Sequence, residues 1–468
     1  MDLDTSQKFF FVGVAGAGMS AIAQYLAGKG FEVGGSDRTF TQNPDAKVRA
    51  QLEAAGIKCF ENDGSGIRKG LDALVVSTAI EASNPDLMKA AELGIKTLHR
   101  SEMLSQIVAQ ARTIAVSGTS GKSTVTGMIY HILAYAGLSP SLITGAGLVS
   151  LEKQGKIGNG VAGKGEWLVI EADESDGSLV RYSPEIGLIL NIDKDHKEIS
   201  ELEEIFGTFT QNVLAKGGIL IANGDREATR NYASDRKFLF GSEQAYGTQG
   251  VDFKAVGTAI EFRVRHAGEL VKFTLPLPGK HNMENALAAT AAASAAGVPL
   301  RKIAEALETF EGIHRRHQIL GTFGGVTLVD DFAHNPAKMA ASIRSVFAFT
   351  KGRVLAWFQP HGFGPTRFLR YDIVTSLREA LRPGDLMYFS QIYYAGGTVT
   401  RDISAGDLAS DLNSLGAKCV YEADRNACAR LMVDEAKPGD TILLMGARDP
   451  KLSDFAESVA ALLRAKER

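Results

Sequence analysis

The sequence predicts an α/β protein with three domains in series. Two observations lead to this prediction: short apolar runs alternate with helical patterns along the chain, and glycine-rich turns join several of these runs to the helix that follows. Strands that alternate with helices form parallel sheets. The chain has 468 residues, which is too long for a single hydrophobic core. We expect Rossmann-like first and third domains at residues 1–108 and 312–468, and a P-loop ATPase-like central domain at residues 109–311.

The composition indicates a soluble, cytoplasmic protein. Its formal net charge is −3, whereas nucleic-acid-binding proteins usually have an excess of basic residues, so no nucleic-acid partner is expected. No run of 18 uncharged apolar residues occurs, and the N-terminus lacks the features of a signal peptide, so we expect no membrane insertion. Three scattered cysteines without a CxxC pair fit a reducing compartment.

The first segment begins with the apolar strand 9–12, the glycine-rich turn 13–18 and a helical pattern at 19–29. A second strand, 32–35, ends at Ser36-Asp37, and a buried-type strand follows at 73–77. This pattern is typical of a dinucleotide site in which an acid binds a ribose hydroxyl. However, Ala15 occupies the position of the usual second glycine, so the turn predicts a nucleotide diphosphate rather than NAD in particular.

The second segment carries the strongest signal, a glycine-rich loop between the strand 113–117 and the helix 123–135. Backbone N–H groups at the start of a helix bind phosphate oxygens. Lys122 would neutralise the β- and γ-phosphates of ATP, and the Ser123 hydroxyl would bind Mg²⁺. The alternative is a tight strand–helix turn with an exposed lysine. The predicted nucleotide-binding loop is formed by Gly118, Thr119, Ser120, Gly121, Lys122, Ser123 and Thr124.

Acidic and polar residues end two further strands of this segment. The run Glu171–Asp176 follows the strand 167–171, and Asn191–His196 follows the strand 186–191. Ligands bind at the carboxyl edge of such sheets, and Mg²⁺ prefers carboxylate oxygens. We therefore predict Glu171 as a metal ligand and His196 as a residue that holds a second cation or orients a phosphate or amine. A solvated acidic loop is the alternative for the first run.

Three later groups are further candidates. Asn282 and Asn285 share one face of a helix start and would contact adenine, although a helix cap explains Asn282 equally well. Arg315-Arg316 lies at a domain junction and would clamp phosphate, unless it is a solvated basic turn. The runs 330–336 and 358–361 place polar groups at the carboxyl edge of the third sheet.

In this order, the motifs resemble those of the Mur ligase family over essentially the whole chain. The shared markers are Gly118–Thr124, Glu171–Asp176, Asp195-His196, His281–Asn285, Arg315-Arg316 and Asp330–His334. Four further runs are similar to the family members that use UDP-N-acetylmuramate, either to add L-alanine or to attach a murein tripeptide in cell-wall recycling. These runs are Gly16–Ser20, Gly35–Asp37, Arg100–Leu104 and Phe358–His361.

The resemblance implies a role for each domain and for named residues. The first domain would bind the UDP-sugar, the second Mg-ATP, and the third would complete the site. Two Mg²⁺ ions would be held by Ser123, Glu171 and His196. Catalytic roles are implied for Lys122, His196, Arg315, His334, His361 and Arg367. Further nucleotide contacts would come from Asn282, Asn285, Arg315 and Asp331, and sugar contacts from Gly16, Gly18, Met19, Ser20, Asp37, Ser77 and Arg100.

The chain departs from the usual family pattern in three places. Ser120 and Ser123 stand where the alanine-adding members have His and Thr, and Asn335 stands where they have His. After Gln359-Pro360 these members have His-Arg-Tyr-Thr-Arg, whereas this chain has His361–Arg367, with one arginine lost and two residues added. This loop would bind the carboxylate of the incoming amino acid. L-Alanine is the expected amine, with the tripeptide as the alternative.

The predicted reaction is ATP-dependent formation of an amide through an acyl phosphate. The expected partners are UDP-N-acetylmuramate and an amino acid, with the protein a monomer or weak homodimer. Two other classes stay open. The N-terminal glycines would also suit a nicotinamide-dependent oxidoreductase, although such an enzyme would have no use for the phosphate-binding loop at Gly118–Thr124. A non-catalytic P-loop module would use nucleotide only as a conformational switch.

Overall fold

The computed structural model describes residues 3–174, 177–193, 199–233, 235–394 and 400–467. The described elements form three sheets that follow one another along the chain and consist mainly of parallel strands. The predicted α/β class is confirmed, and the three sheets follow one another along the chain as three domains in series require.

The first sheet has five parallel strands in the order β3-β2-β1-β4-β5. Its central strand begins after Gln7 and is buried on both faces, as a parallel strand between helix layers must be. The strands are β1 (Lys8–Val12), β2 (Glu32–Ser36), β3 (Lys58–Phe60), β4 (Ala73–Val76) and β5 (Thr97–His99). The helices are α1 (Ala17–Gly28), α2 (Arg38–Gln42), α3 (Lys47–Ala54), α4 (Pro85–Glu92) and α5 (Arg100–Gln110).

The second sheet has ten strands in the order β15-β14-β13-β12-β11-β10-β6-β9-β7-β8. The strands are β6 (Arg112–Ser117), β7 (Ser141–Ile143), β8 (Gly160–Val161), β9 (Trp167–Glu171), β10 (Ile186–Ile189), β11 (Ile219–Asn223), β12 (Leu239–Gly241), β13 (Thr248–Val256), β14 (Ala259–His266) and β15 (Glu269–Leu275). The helices are α6 (Lys122–Tyr135), α7 (Val149–Glu152), α8 (Ile199–Ala215), α9 (Glu227–Arg230), α10 (Lys280–Ala295) and α11 (Leu300–Glu308), with 3₁₀ turns at Ser178–Arg181 and Arg236–Phe238.

Strand order in the second sheet brings three loops together. β6 pairs in parallel with both β10 and β9, so the segments after these three strands emerge side by side at one edge. β14 and β15 pair antiparallel, and polar and apolar residues alternate along 251–275, which is typical of antiparallel strands.

The first and second sheets share one hydrophobic core. Phe9, Ile22 and Leu26 of the first sheet layer belong to the same buried cluster as Leu168 and Phe206 of the second. The two sheets lie in one compact unit, formed by Met1–Lys254, Ile260–Pro276 and Lys280–Ile313. The boundary predicted at residues 108/109 falls near the end of α5 inside this unit, and the three domain limits stay predictions.

The third sheet lies in the second compact unit, formed by Ala255–Ala259, Leu277–Gly279 and His314–Arg468. Its order is β16-β17-β21-β18-β19-β20, with β16 antiparallel to β17 and the other pairs parallel. The strands are β16 (Gln318–Phe323), β17 (Val326–Asp331), β18 (Val354–Gln359), β19 (Leu386–Phe389), β20 (Lys418–Tyr421) and β21 (Thr441–Gly446). The helices are α12 (Pro336–Val346), α13 (Phe363–Phe368), α14 (Arg370–Ala380), α15 (Ala405–Ser414), α16 (Arg425–Glu435) and α17 (Leu452–Glu467). No helix in the described part of the chain combines the length and apolar character needed to cross a bilayer.

Candidate active site

The glycine-rich loop joins β6 to α6, as predicted, and its conformation requires glycine at two positions. Gly118 and Gly121 have φ angles of +137° and +83°, in the left-handed region that other residues rarely adopt. A Cβ atom on Gly121 would also lie 2.8 Å from Oδ1 of Asn285. The loop is therefore held in a tight form that leads directly into the start of α6, where backbone N–H groups can bind anions.

Lys122 opens α6 and is largely buried. Its Nζ donates hydrogen bonds of 2.7 Å to the carbonyl of Gly118 and 2.7 Å to Oε2 of Glu174, and it lies 3.6 Å from Oδ1 of Asp173. Burial by itself would lower the pKa of Lys122, but the carboxylates of Glu174 and Asp173 outweigh it and raise the pKa above its ordinary value. The side chain is thus a fixed cation inside the loop.

Glu174 is itself buried, and burial raises its pKa despite the neighbouring Lys122 ammonium. The sequence motif contains this residue, but sequence reasoning did not identify it as the partner of the lysine. Ser175 and Asp176, which complete the motif, lie outside the described residues.

Glu171 ends β9 and is bonded through both carboxylate oxygens. Oε1 accepts a 3.0 Å hydrogen bond from the Ser123 hydroxyl, while Oε2 accepts bonds of 2.7 Å from Thr144 Oγ1 and 2.8 Å from the Gly145 N–H. The structure brings together Ser123 and Glu171, two of the three predicted metal ligands. Sequence reasoning missed Thr144 and Gly145, although they follow the apolar strand Ser141–Ile143, a signal that could have found them.

The segment after β10 supports the other side of the loop. Asn191 Oδ1 accepts bonds of 2.8 Å from Thr119 Oγ1 and 2.8 Å from the Ser120 N–H, and Asn191 Nδ2 donates to the Ser120 carbonyl at 3.0 Å. The amide of one residue thus fixes two residues of the loop. His196, predicted as a metal ligand and catalytic residue, lies outside the described residues.

The start of α10 lies against the loop. Asn285 Nδ2 donates a 3.1 Å hydrogen bond to Oδ1 of Asn282, and Asn285 is the residue that approaches Gly121. Asn282 is buried, whereas Thr124 is partly exposed on the first turn of α6. The predicted adenine-contacting pair is therefore assembled next to the phosphate loop.

Four of the seven residues predicted to bind the sugar nucleotide lie at the start of α1: Gly16 precedes the helix, and Gly18, Met19 and Ser20 are in its first turn. Asp37 Oδ2 accepts a 3.0 Å bond from the Ala15 N–H, and its Oδ1 caps α2 through the Thr39 N–H at 2.8 Å. A Cβ atom on Gly18 would lie 3.3 Å from Nη1 of Arg100, so this glycine allows the guanidinium to approach the turn.

The remaining predicted sugar contacts differ in exposure. Gly16 is the residue before α1, and Ser77 follows β4 and is partly exposed. Met19 and Ser20 lie on the buried side of α1, where the Ser20 hydroxyl donates to the Ala17 carbonyl at 3.0 Å. Their side chains pack inside the unit rather than line its surface.

In the second compact unit, Arg315 forms a buried ion pair. Its Nε lies 3.1 and 3.0 Å from the two carboxylate oxygens of Asp330, and Nη2 donates to the Gly446 carbonyl at 2.8 Å. Only 6% of Arg315 and 2% of Asp330 is exposed. The guanidinium is thus engaged within its own unit, whereas Arg316 is exposed and lies over the Phe332 ring.

Asp331 also has a local role in this unit. Its carboxylate accepts hydrogen bonds of 2.8 Å from the His317 N–H and 2.7 Å from the Ala333 N–H. Asp331 therefore holds the turn that follows β17, and its predicted nucleotide contact stays a prediction.

Two histidines meet at the carboxyl edge of the third sheet. The rings of His334 and His361 lie 5.6 Å apart, and His334 Nδ1 donates to the Phe332 carbonyl at 2.9 Å. Burial lowers the pKa of both residues, that of His361 to about 4, with the positive charge of Arg448 contributing. His361 Nδ1 is buried with no hydrogen-bond partner among the described residues. Both imidazoles are therefore neutral near pH 7.

Arg367 lies on α13 and is paired with Asp402 through Nη2, which also donates to the Thr400 carbonyl at 3.2 Å. Arg448 follows β21, is exposed, and has a φ angle of +66°, which is strained for a residue with a side chain. Sequence reasoning did not identify Arg448, although β21 lies between the strands that lead to His334 and His361.

Comparison with known families accounts for most of the chain. Residues 8–112 match the model described as Mur ligase family, catalytic domain; residues 116–293 match the Mur ligase middle domain; and residues 315–448 match the Mur ligase, glutamate ligase domain.

Individual proteins are similar over the same length. The UDP-N-acetylmuramate–L-alanine ligases of Syntrophomonas wolfei and Streptomyces coelicolor are each 35% identical to this chain, with 94% of each chain covered. The crystal structure of UDP-N-acetylmuramate–alanine ligase from Thermotoga maritima is 24% identical and matches with a TM-score of 0.79 over 98% of this chain and 99% of its own. A murein peptide ligase from Psychrobacter arcticus matches with a TM-score of 0.68 and 21% identity over the same shares. The chain belongs to the Mur ligase family.

Proposed function

We propose that this protein is an ATP-dependent ligase that joins the carboxylate of UDP-N-acetylmuramate to the amino group of L-alanine in peptidoglycan precursor synthesis. The observation that carries the proposal is the convergence of Lys122, Ser123 and Glu171 at one edge of the second sheet. The curated relatives at 32–36% identity, named UDP-N-acetylmuramate–L-alanine ligases, support the choice of substrates.

The residues at this edge fit Mg²⁺. Ser123 and Glu171 offer one hydroxyl and one carboxylate oxygen, and Mg²⁺ typically takes few protein ligands and completes its shell with water and substrate phosphates. Mg²⁺ bound by Ser123 and Glu171 would neutralise charge on the phosphates of ATP.

In the first step, an oxygen of the sugar carboxylate bonds to the γ-phosphorus while the bond to the β–γ bridging oxygen breaks, giving an acyl phosphate and ADP. Such a transfer is catalysed mainly by positioning and by charge stabilisation. Lys122 remains cationic because of its acidic neighbours, so its ammonium is available to the transferred phosphoryl group. The backbone N–H groups at the start of α6 would bind the other phosphate oxygens.

In the second step, the amine nitrogen bonds to the acyl carbon, inorganic phosphate leaves, and the nitrogen loses a proton. We assign binding of the incoming amino acid to His334 and His361. Neutral imidazoles accept hydrogen bonds from an amino group, and the lowered pKa of each keeps it neutral at the pH of the cytoplasm.

The proposal is tested by measuring phosphate release with ATP, Mg²⁺ and UDP-N-acetylmuramate against a panel of amino acids and the murein tripeptide. We expect release with L-alanine and none when the UDP-sugar is omitted. If the complete mixture released phosphate with the tripeptide but with no amino acid, the protein would instead catalyse the recycling reaction. Lys122→Ala should abolish turnover, while Lys164→Ala, which changes an exposed lysine of the same unit, should not. Undiminished activity of Lys122→Ala would refute the role of the loop.

A further inference from the structure

Asn159 immediately precedes the short strand β8 and makes three side-chain hydrogen bonds with α1, the helix that follows β1 of the first sheet. Its Nδ2 donates to the Ala17 carbonyl at 2.7 Å and to the Ser20 hydroxyl at 2.9 Å, and its Oδ1 accepts from Gln24 Nε2 at 2.9 Å. Only 2% of Asn159 is exposed. All three partners lie on α1, and two are in its first turn, directly after the glycine-rich turn.

The backbone of the same residue leads towards the metal ligand. The carbonyl of Asn159 accepts a 2.9 Å bond from the Thr144 N–H, and the Thr144 hydroxyl donates to Oε2 of Glu171 at 2.7 Å. A short series of bonds therefore connects the first turn of α1 with the carboxylate that holds the Ser123 hydroxyl.

The packing around these bonds leaves little room for relative movement. A Cβ atom on Gly160 would lie 2.6 Å from the carbonyl oxygen of Ala21, and one on Gly28 would lie 2.5 Å from Cβ of Ala162. Helix α1 thus rests directly on β8, with glycine at both points of closest approach. A contact this tight transmits small displacements, because a packed interior is not easily deformed.

We infer that Asn159 is a positioning residue that fixes the sugar-nucleotide turn relative to Glu171, so that the sugar carboxylate and the γ-phosphate of ATP meet in the reactive geometry. The inference rests on the proposed function. Its physical basis is that residues behind a metal ligand set its orientation, and that small misplacement of reacting groups strongly reduces the rate.

The test compares Asn159→Ala and Asn159→Asp with Lys29→Ala. Lys29 follows the other end of α1 and donates to the Gly163 carbonyl at 2.7 Å, so its variant removes a bond of the same interface away from the turn. We expect the Asn159 variants to lower kcat about tenfold, at the low end of the effects seen for residues behind metal ligands, and Lys29→Ala to leave kcat unchanged.

A binding measurement separates positioning from a general loss of structure. The affinity for UDP-N-acetylmuramate is measured by calorimetry with and without Mg²⁺ and a non-hydrolysable ATP analogue. We expect the nucleotide to strengthen sugar binding in the wild type and in Lys29→Ala, and to have little effect in the Asn159 variants. We call this effect of the nucleotide on sugar affinity the coupling. The inference would be overturned if the coupling were equal in the wild type, Lys29→Ala and both Asn159 variants, or if the Asn159 variants had the same kcat as Lys29→Ala.

Thr144→Val gives an independent route if the Asn159 variants fail to fold. It removes the bond to Glu171 but nearly preserves the side-chain shape, and it should cause a similar loss of kcat and coupling. If Thr144→Val had the same kcat and coupling as the wild type, the proposed connection between α1 and Glu171 would be refuted. If the wild type released no phosphate with UDP-N-acetylmuramate, the proposed function would fail, whereas an active wild type with unaffected variants would refute only this inference.

Discussion

Replacement of Arg315 by methionine should strongly destabilise the second compact unit. The change leaves Asp330, which is 2% exposed, without its counter-charge, and also removes the donor to the Gly446 carbonyl. Removing one partner of a buried ion pair costs about 3–5 kcal/mol. For a folding unit of roughly 150–250 residues this corresponds to a fall in Tm of about 6–20 °C, at about 2–4 °C per kcal/mol.

The loss of stability in Arg315→Met should become larger as pH rises. Burial raises the pKa of Asp330, and Arg315 opposes that effect, so the pKa rises further once the arginine is removed. In the variant, the folded state then holds a proton that the unfolded chain has already released above about pH 4. Stability therefore falls as pH increases, and the Tm difference from wild type should be smaller at pH 5 than at pH 8.

The assay is thermal unfolding by circular dichroism at both pH values, with Arg316→Met as the matched control. Arg316 is exposed and lies over the Phe332 ring without a buried ion pair among the described residues, so its variant should lose no more than about 0.5 kcal/mol. The double variant Arg315→Met/Asp330→Leu should regain much of the stability, because apolar replacement of both partners is often neutral. Equal melting of the Arg315 and Arg316 variants would refute the reasoning. ATP affinity of the stable double variant then tests the predicted nucleotide contact of Arg315.

Three further predictions follow from backbone strain and titration. Gly121→Ala should raise the KM for ATP in steady-state assays, because its Cβ would lie 2.8 Å from Oδ1 of Asn285. Gly137→Ala is its control, since Gly137 has nearly the same φ angle, +82°, but nothing within 4 Å of the added atom, so its KM should stay at the wild-type value. Arg448→Gly should stabilise the protein by at most about 1 kcal/mol in urea unfolding, because it removes the strain at a φ angle of +66°. Burial lowers the pKa of His361 from an ordinary 6.5 to about 4, so the stability present above pH 6.5 should be lost as pH falls towards 4. His361→Asn should flatten this dependence in urea titrations between these pH values, and an unchanged slope would contradict it.

The strands that carry the site could be read from the sequence because each is a short local signal. The strand 167–171 agrees with β9 residue for residue, and the glycine-rich motif Gly118–Thr124 directly follows β6 and runs into the first turn of α6, which begins one residue before the predicted helix start. The required information is contained in adjacent residues: an apolar run, glycines at left-handed positions and a helix start. The antiparallel edge strand β16 had no such pattern and was not predicted.

Partners from distant parts of the chain could not be read in this way. Thr144 contacts Glu171 because β7 pairs with β9, and Asn159 reaches α1 because β8 lies at the edge of the second sheet. Strand order is set by which apolar faces pack together over the whole unit, and local periodicity does not encode it. The same reason explains Arg315, which looks like a surface phosphate clamp in sequence and is buried against Asp330 in the fold.

The sequence by itself determined the chemical groups available to this protein: an anion-binding loop with its lysine, a carboxylate at a strand end, and the family to which the motifs belong. These features depend on residue type and on spacing within one strand, turn and helix. Tertiary structure alone decided which of these groups are hydrogen-bonded to one another and which form structural ion pairs. It also decided that the first two sheets share a core. Those outcomes depend on contacts between residues far apart in the chain, whose free energy exists only once the sheets have formed.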